Sequence, residues 1–214
     1  MEDCSSVLVI GGSGSGKTTW ILNVINNLAK VYENPPISVH YFYSVYQSVF
    51  TPYEESGSSL CPGGIHFQSG LPSESDITAI TSDGQIHMIV LDDMFLIAGN
   101  DENVCRLFTQ TSHHSRVNIF LLTQNVFQKS KFITTITRNT TYFVFTKSPQ
   151  NSYSVMQMAK QIYPGKTKFL TEAYEDIIKE IFGVMVLDLH PKTDPKYRVS
   201  SNILDEDPVI YIPY

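Results

Sequence analysis

The chain has 214 residues, 42% of them hydrophobic, which suits one domain with a sizeable core. Its 15 Lys and Arg against 21 Asp and Glu leave a net charge of −6, and no basic tract appears, so tight nucleic-acid binding by an isolated chain is not expected. The three cysteines (Cys4, Cys61, Cys105) are odd in number and form no C-x-x-C pair, which points to a reducing intracellular compartment rather than a disulfide framework.

Six residues precede "VLVI" (7–10), an apolar run expected to form a strand buried on both faces. It leads through a Gly-rich turn into "KTTWILNVINNLAKVY", where Trp20, Ile21, Val24, Ile25 and Leu28 recur at helical spacing until Asn34-Pro35-Pro36. "ISVHYFYSVY" (37–46) predicts a second strand. The Ser-, Gly- and Pro-rich stretch 51–84 reads as loops with one short helix near 74–80. "IHMIVLDD" (86–93) is another buried strand with an acidic end. A helix is expected at roughly 101–113, then strands at "NIFLLTQ" and "TYFVFTK" (141–147). "SYSVMQMAKQIY" and "TKFLTEAYEDIIKEIF" predict helices, and "GVMVLDLHP" (183–191) with "YRVSSNIL" (197–204) a hairpin. Strands alternating with helices imply an α/β fold with a mostly parallel sheet covered on both sides. No repeat, low-complexity tract or linker divides the chain, so 1–214 reads as a single domain. No apolar run reaches the ~18 residues of a membrane span, and "MEDCSS" lacks a signal peptide's basic and apolar regions, so a soluble, non-secreted protein is expected.

"GGSGSGKT" (11–18) matches the P-loop pattern G-x-x-x-x-G-K-[ST], and it lies between a predicted strand and a predicted helix. In such a loop, here Gly11, Gly12, Ser13, Gly14, Ser15, Gly16, Lys17, Thr18 and Thr19, backbone N–H groups turn inward around phosphate. The helix N-terminus adds partial positive charge. Lys17 is expected to reach the β/γ-phosphates of ATP, and the Thr18 hydroxyl to ligate Mg²⁺. "MIVLDDM" is an apolar strand ending in acid, the Walker B pattern. Asp92 is the candidate magnesium carboxylate, and Asp93 the candidate base for the attacking water. The next strand ends at Gln124. A neutral amide there can donate to a phosphate oxygen while accepting from water, without adding negative charge, so Gln124 is a candidate γ-phosphate sensor. Cys105 with His113 and His114 fits no standard zinc spacing.

"GGSGSGKTT", "VLDDMF", "SHHSRVNIFLLTQNVFQ" and "MVLDLHPKT…YRVSSNIL" together resemble the DNA-packaging ATPases of the FtsK–HerA superfamily, most of all those of Maverick/Polinton elements, adintoviruses and virophages. "YSVYQSVF", "IHFQSGLPS" and "NTTYFVFTKSP" extend the resemblance over nearly the whole chain. It implies a RecA/ASCE-type three-layer P-loop NTPase with a C-terminal β-hairpin, in which one strand inserts between the Walker A and Walker B strands. It further implies an ATPase motor, a homo-oligomeric ring (hexamer or pentamer) that moves double-stranded viral DNA into a capsid, with a capsid vertex or portal protein as partner. The site of action would be intracellular, in the host nucleus or a cytoplasmic viral factory, or on the virion. In such rings an Arg from the adjacent protomer completes the site. Arg116 is the first candidate, expected at the end of the sheet opposite the P-loop, ahead of Arg138 and Arg106. Two positions depart from the family pattern, Gln110 and Gln150 standing where basic residues are common. His113 and His114 match the pattern without an evident chemical role.

Rival P-loop readings fit less well. A small-molecule kinase needs an Arg-bearing lid, and no Arg-rich stretch exists. A GTPase needs a guanine-reading aspartate, which "TKSP" (146–149) lacks. An ABC signature is absent, and a non-catalytic nucleotide-binding assembly protein leaves Asp93 and Gln124 unexplained.

Overall fold

The computed structural model describes residues 1–111, 116–124 and 130–213. His113 and His114 lie outside them, as does the side chain of Gln110. Among the described residues, nine strands form one sheet. They are β1 (Ser6–Ile10), β2 (Ser38–Tyr43), β3 (Ile65–Ser69), β4 (His87–Asp92), β5 (Val117–Thr123), β6 (Tyr142–Thr146), β7 (Val184–Asp188), β8 (Val199–Ser201) and β9 (Val209–Tyr211). Their order is β3-β2-β4-β5-β1-β6-β7-β8-β9. The first six are parallel, and the last three join antiparallel.

The central strands are buried on both faces because their sequences are apolar at nearly every position, the polar exceptions lying mostly at the strand ends, as parallel sheets require. Alternation then sorts the side chains between two cores. Leu8, Ile10, Ile119 and Leu121 face one layer, and Val7, Val9, Phe120 and Leu122 the other. Each such residue stabilises the fold by roughly 1.5–3 kcal/mol relative to exposure. The second face is covered by α1 (Lys17–Asn26), through Trp20, Ile21, Val24 and Ile25, and by α2 (Leu28–Val31). Over the first lie α6 (Glu102–Arg106), α7 (Ile133–Arg138), α8 (Asn151–Ile162) and α9 (Thr167–Ile177). Of the remaining helices, α4 (Glu74–Thr81) packs Ile80 on that same core, and α3 (Thr51–Ser56) and α5 (Phe95–Ala98) are short.

The expected insertion is present: β5 lies between β1 and β4. Its register sets Ile10 beside Thr123 and Leu122 beside Asp92, so β1, β4 and β5 end on one edge of the sheet. Several details differ from the sequence reading. Stretch 51–84 contains not only the expected helix, capped by Ser73 and Asp76, but also α3 and the edge strand β3. In β3 Ile65 is buried and Phe67 half-buried on the second core, so the strand's apolar alternation is only two residues long. The first helix breaks at Asn27, well before Asn34, and restarts as α2. The helix predicted over 101–113 ends at Arg106 and continues as a π-helical turn, Leu107–Thr111. The β7–β8 hairpin forms as expected, and β9 extends it. No described helix is long and apolar enough to cross a membrane.

Candidate nucleotide site

The loop 11–16 leaves β1 at the sheet edge where β4 and β5 also end. Gly11 N–H donates to Thr123 O at 3.0 Å, carrying the β1–β5 ladder one residue beyond the strand. A Cβ on Gly11 would collide with the hydroxyls of Thr146 and Ser15, so any other residue here would have to displace both. Gly16, with φ 88°, turns the chain through the left-handed region into α1, which therefore begins without a side-chain cap. Its first-turn N–H groups remain available to an anion. The Ser15 hydroxyl points away from that mouth, to Thr146 Oγ1 at 2.7 Å. Asn151 Nδ2 donates to Ile10 O and Thr146 O at 3.0 and 2.8 Å, pinning the root of the loop to β6.

Lys17 is nearly buried, at 8% exposure, and its ammonium donates to Gly11 O and Gly12 O at 2.8 and 3.0 Å. Burial lowers its pKa, while Asp92 and Asp93 pull it back up. Opposite it, Asp92 ends β4 at 3% exposure. Its Oδ2 accepts from Thr18 Oγ1 at 3.0 Å and from the Tyr41 hydroxyl at 2.7 Å. Burial raises the Asp92 pKa, opposed by the Tyr41 and Thr18 hydrogen bonds and the Lys17 charge. Asp93 is exposed in a left-handed conformation, φ 55°, which Asp tolerates better than most residues. It receives a long contact from Gln124 Nε2, 3.4 Å to Oδ1, across the β4–β5 junction.

These groups line one cavity of about 450 Å³. Ser13, Gly14, Gly16, Lys17, Thr18 and Thr19 form one wall, and Asp92, Asp93 and Gln124 another. Val45 and Gln47, from the segment after β2, close a third side. Gly11 and Gly12 contribute the carbonyls that hold Lys17 rather than cavity surface.

Arg116 is not brought there. It sits immediately before β5, at the opposite end of the sheet, with φ 53° and Nη1 3.4 Å from Gly84 O. Arg138 is exposed at the end of α7, before β6, also away from the loop. Arg106 is paired with Glu102 at 2.9 Å and Glu74 at 3.7 Å.

Tyr41, Val45, Gln47 and the Asn151 clamp escaped the sequence reading. Tyr41 belongs to an aromatic strand in which nothing marks one hydroxyl as directed at a carboxylate. The paired Thr18 hydroxyl and Asp92 carboxylate are hard oxygen donors, the chemistry Mg²⁺ selects when phosphates complete its coordination. Among the described residues no group of three His, Cys, Asp or Glu could hold a metal by itself.

No protein-family model matches the chain, and no curated protein matches it in sequence. Solved structures do match. The genome-packaging NTPase B204 of Sulfolobus turreted icosahedral virus 2, in complex with ATPγS, aligns over 99% of this chain and 98% of its own, at 11% identity and TM-score 0.58. B204 of Sulfolobus turreted icosahedral virus, a DNA-packaging ATPase, aligns over 100% of both chains, at 13% identity and TM-score 0.59. At such identities the likeness is one of fold, and it runs from end to end. The chain has the fold of a P-loop NTPase. In this P-loop domain the cavity occupies the crevice at the carboxyl ends of parallel strands, where open α/β sheets bind their ligands.

Proposed function

We propose that this chain hydrolyses ATP and that hydrolysis drives double-stranded DNA into a viral capsid. The observation that carries the reading is the convergence of Lys17, Thr18, Asp92, Asp93 and Gln124 on one cavity. A mere nucleotide holder needs the first three alone; the exposed Asp93 and the amide facing it supply what hydrolysis requires. The α1 N-terminus and loop amides receive the phosphates, and the Lys17 ammonium exchanges its two carbonyl partners for β- and γ-phosphate oxygens. Thr18 and Asp92 would hold Mg²⁺, which supplies charge neutralisation on the β- and γ-phosphates. Gln124 orients a water in line with the γ-phosphorus. As its oxygen bonds to phosphorus, the bond to the β–γ bridging oxygen breaks, Asp93 accepts the water's proton, and ADP leaves.

The DNA-packaging part rests on the motif resemblance to FtsK–HerA ATPases of Maverick/Polinton elements, adintoviruses and virophages, and on the end-to-end fold likeness to B204. The cavity lies at one end of the strands, while Arg116 and Arg138 lie at the other. Head-to-tail packing of copies would bring the two ends together, and heterologous contacts of that kind close into rings. An Arg from one protomer would then complete its neighbour's site. A ring can concentrate a few lysines in its pore while its outer surface stays acidic, which reconciles the net charge of −6 with DNA as cargo. A capsid vertex or portal protein is the expected docking partner. ATP turnover with and without duplex DNA tests the reading. Turnover should rise with duplex DNA and vanish in Lys17→Ala. Turnover that instead follows a small phosphate acceptor would assign a kinase, and none under any condition a nucleotide-binding assembly protein.

A further inference from the structure

Among the described residues Asp92 Oδ2 accepts two hydrogen bonds, and one comes from Thr18 in the first turn of α1. The other comes from Tyr41 on β2. In the β2–β4 register Asp92 faces Tyr43, so Tyr41 reaches it diagonally, over the length of its ring. That ring is fully buried and packs on both Phe50 and Phe67, at centroid distances of 5.0 and 5.2 Å, and those two rings stack on each other at 4.9 Å. The phenol of this packed ring donates to the buried carboxylate at 2.7 Å. Thr18, by contrast, bonds the same oxygen at 3.0 Å with the hydroxyl whose lone pairs are wanted for Mg²⁺.

We propose that Tyr41 is a positioning residue for magnesium: its hydroxyl holds Asp92 Oδ2 so that the carboxylate keeps the orientation in which it meets the Thr18 hydroxyl. The inference rests on Thr18 and Asp92 being the magnesium-holding pair and deepens that reading. Loss of an outer partner of this kind typically weakens metal binding 10–100-fold.

The test uses Tyr41→Phe, which keeps the ring packed on Phe50 and Phe67 and removes only the hydroxyl. Binding of the fluorescent nucleotide mant-ATPγS is titrated in EDTA and then against Mg²⁺. The expected result is unchanged affinity in EDTA and about a tenfold rise in the Mg²⁺ concentration needed for half-maximal tightening. In an Asp92→Asn background the same change should add nothing, because Tyr41 acts through the carboxylate. An unaltered Mg²⁺ requirement overturns the inference, as does loss of binding in EDTA or an equal additional rise in the Asp92→Asn background. A wild-type protein whose nucleotide binding ignores Mg²⁺ overturns the magnesium reading of Thr18 and Asp92 as well, so the two failures are distinguishable.

Discussion

Two adjacent carboxylates at the end of β4 meet opposite environments. Asp92 is buried and accepts two hydroxyls; Asp93 is exposed and meets the Gln124 amide. Their substitutions should therefore separate. Asp93→Asn should bind Mg·ATP normally yet stall turnover, since an amide cannot take the water's proton, whereas Asp92→Asn should first raise the Mg²⁺ requirement. Metal-dependent nucleotide binding and single-turnover hydrolysis read the two effects apart, and equal mild losses would make both residues solvated strand-end acids. Gln124→Ala should bind ATP with little change and hydrolyse at least ~10-fold more slowly, on the scale of a lost transition-state hydrogen bond. A full rate in that variant would reduce Gln124 to a loop amide.

At the scale of elements, the parallel strands β3, β2 and β4 place His66, His40 and His87 on one face of the sheet. His40 and His66 stack at 5.0 Å. Ser38 Oγ bonds His40 Nε2 and His87 Nδ1, and His87 Nε2 meets Asp83 at 2.9 Å. Burial, then the neighbouring imidazoles, lowers the His40 pKa from 6.5 to about 4. Between those values the unfolded chain binds a proton that the folded chain refuses. Stability is therefore whole above about pH 6.5 and falls as the pH drops toward about 4. Melting temperatures across that window should show the decline, and His40→Gln, which cannot ionise, should flatten it. The position lies on the side of the sheet where β2 and β4 begin, away from the cavity, so turnover at pH 7.5 should be nearly unchanged.

For the whole molecule, the separation of cavity and arginines along the sheet predicts that activity belongs to the assembly. Arg116→Ala and Lys17→Ala subunits should each be inactive alone. Mixed, they should regain part of the activity, because some interfaces pair an intact loop with an intact arginine; such fingers contribute 10³–10⁵ in other P-loop enzymes. No recovery at any ratio, or specific activity independent of dilution to the monomer, would refute the trans-acting model.

The chain itself determined what rests on contiguous residues. An apolar run followed by glycines, Lys17 and Thr18 dictates strand, turn and helix, because burial and left-handed backbone are local demands. The same holds for the acid at the end of β4 and the amide after β5, each marked by an apolar strand running into a polar tip. Tertiary structure decided the rest. Strand β3 offers only Ile65 and Phe67 as its apolar alternation, too short a pattern to stand out in a Ser- and Gly-rich stretch, and it is pairing with β2 that makes it a strand. Tyr41 became a partner of Asp92, and Asn151 a clamp on the loop, only when β2 and α8 were set beside residues 51 and 141 positions away. Hydrogen-bond direction across such distances has no periodicity to read; it exists only once the sheet order is set.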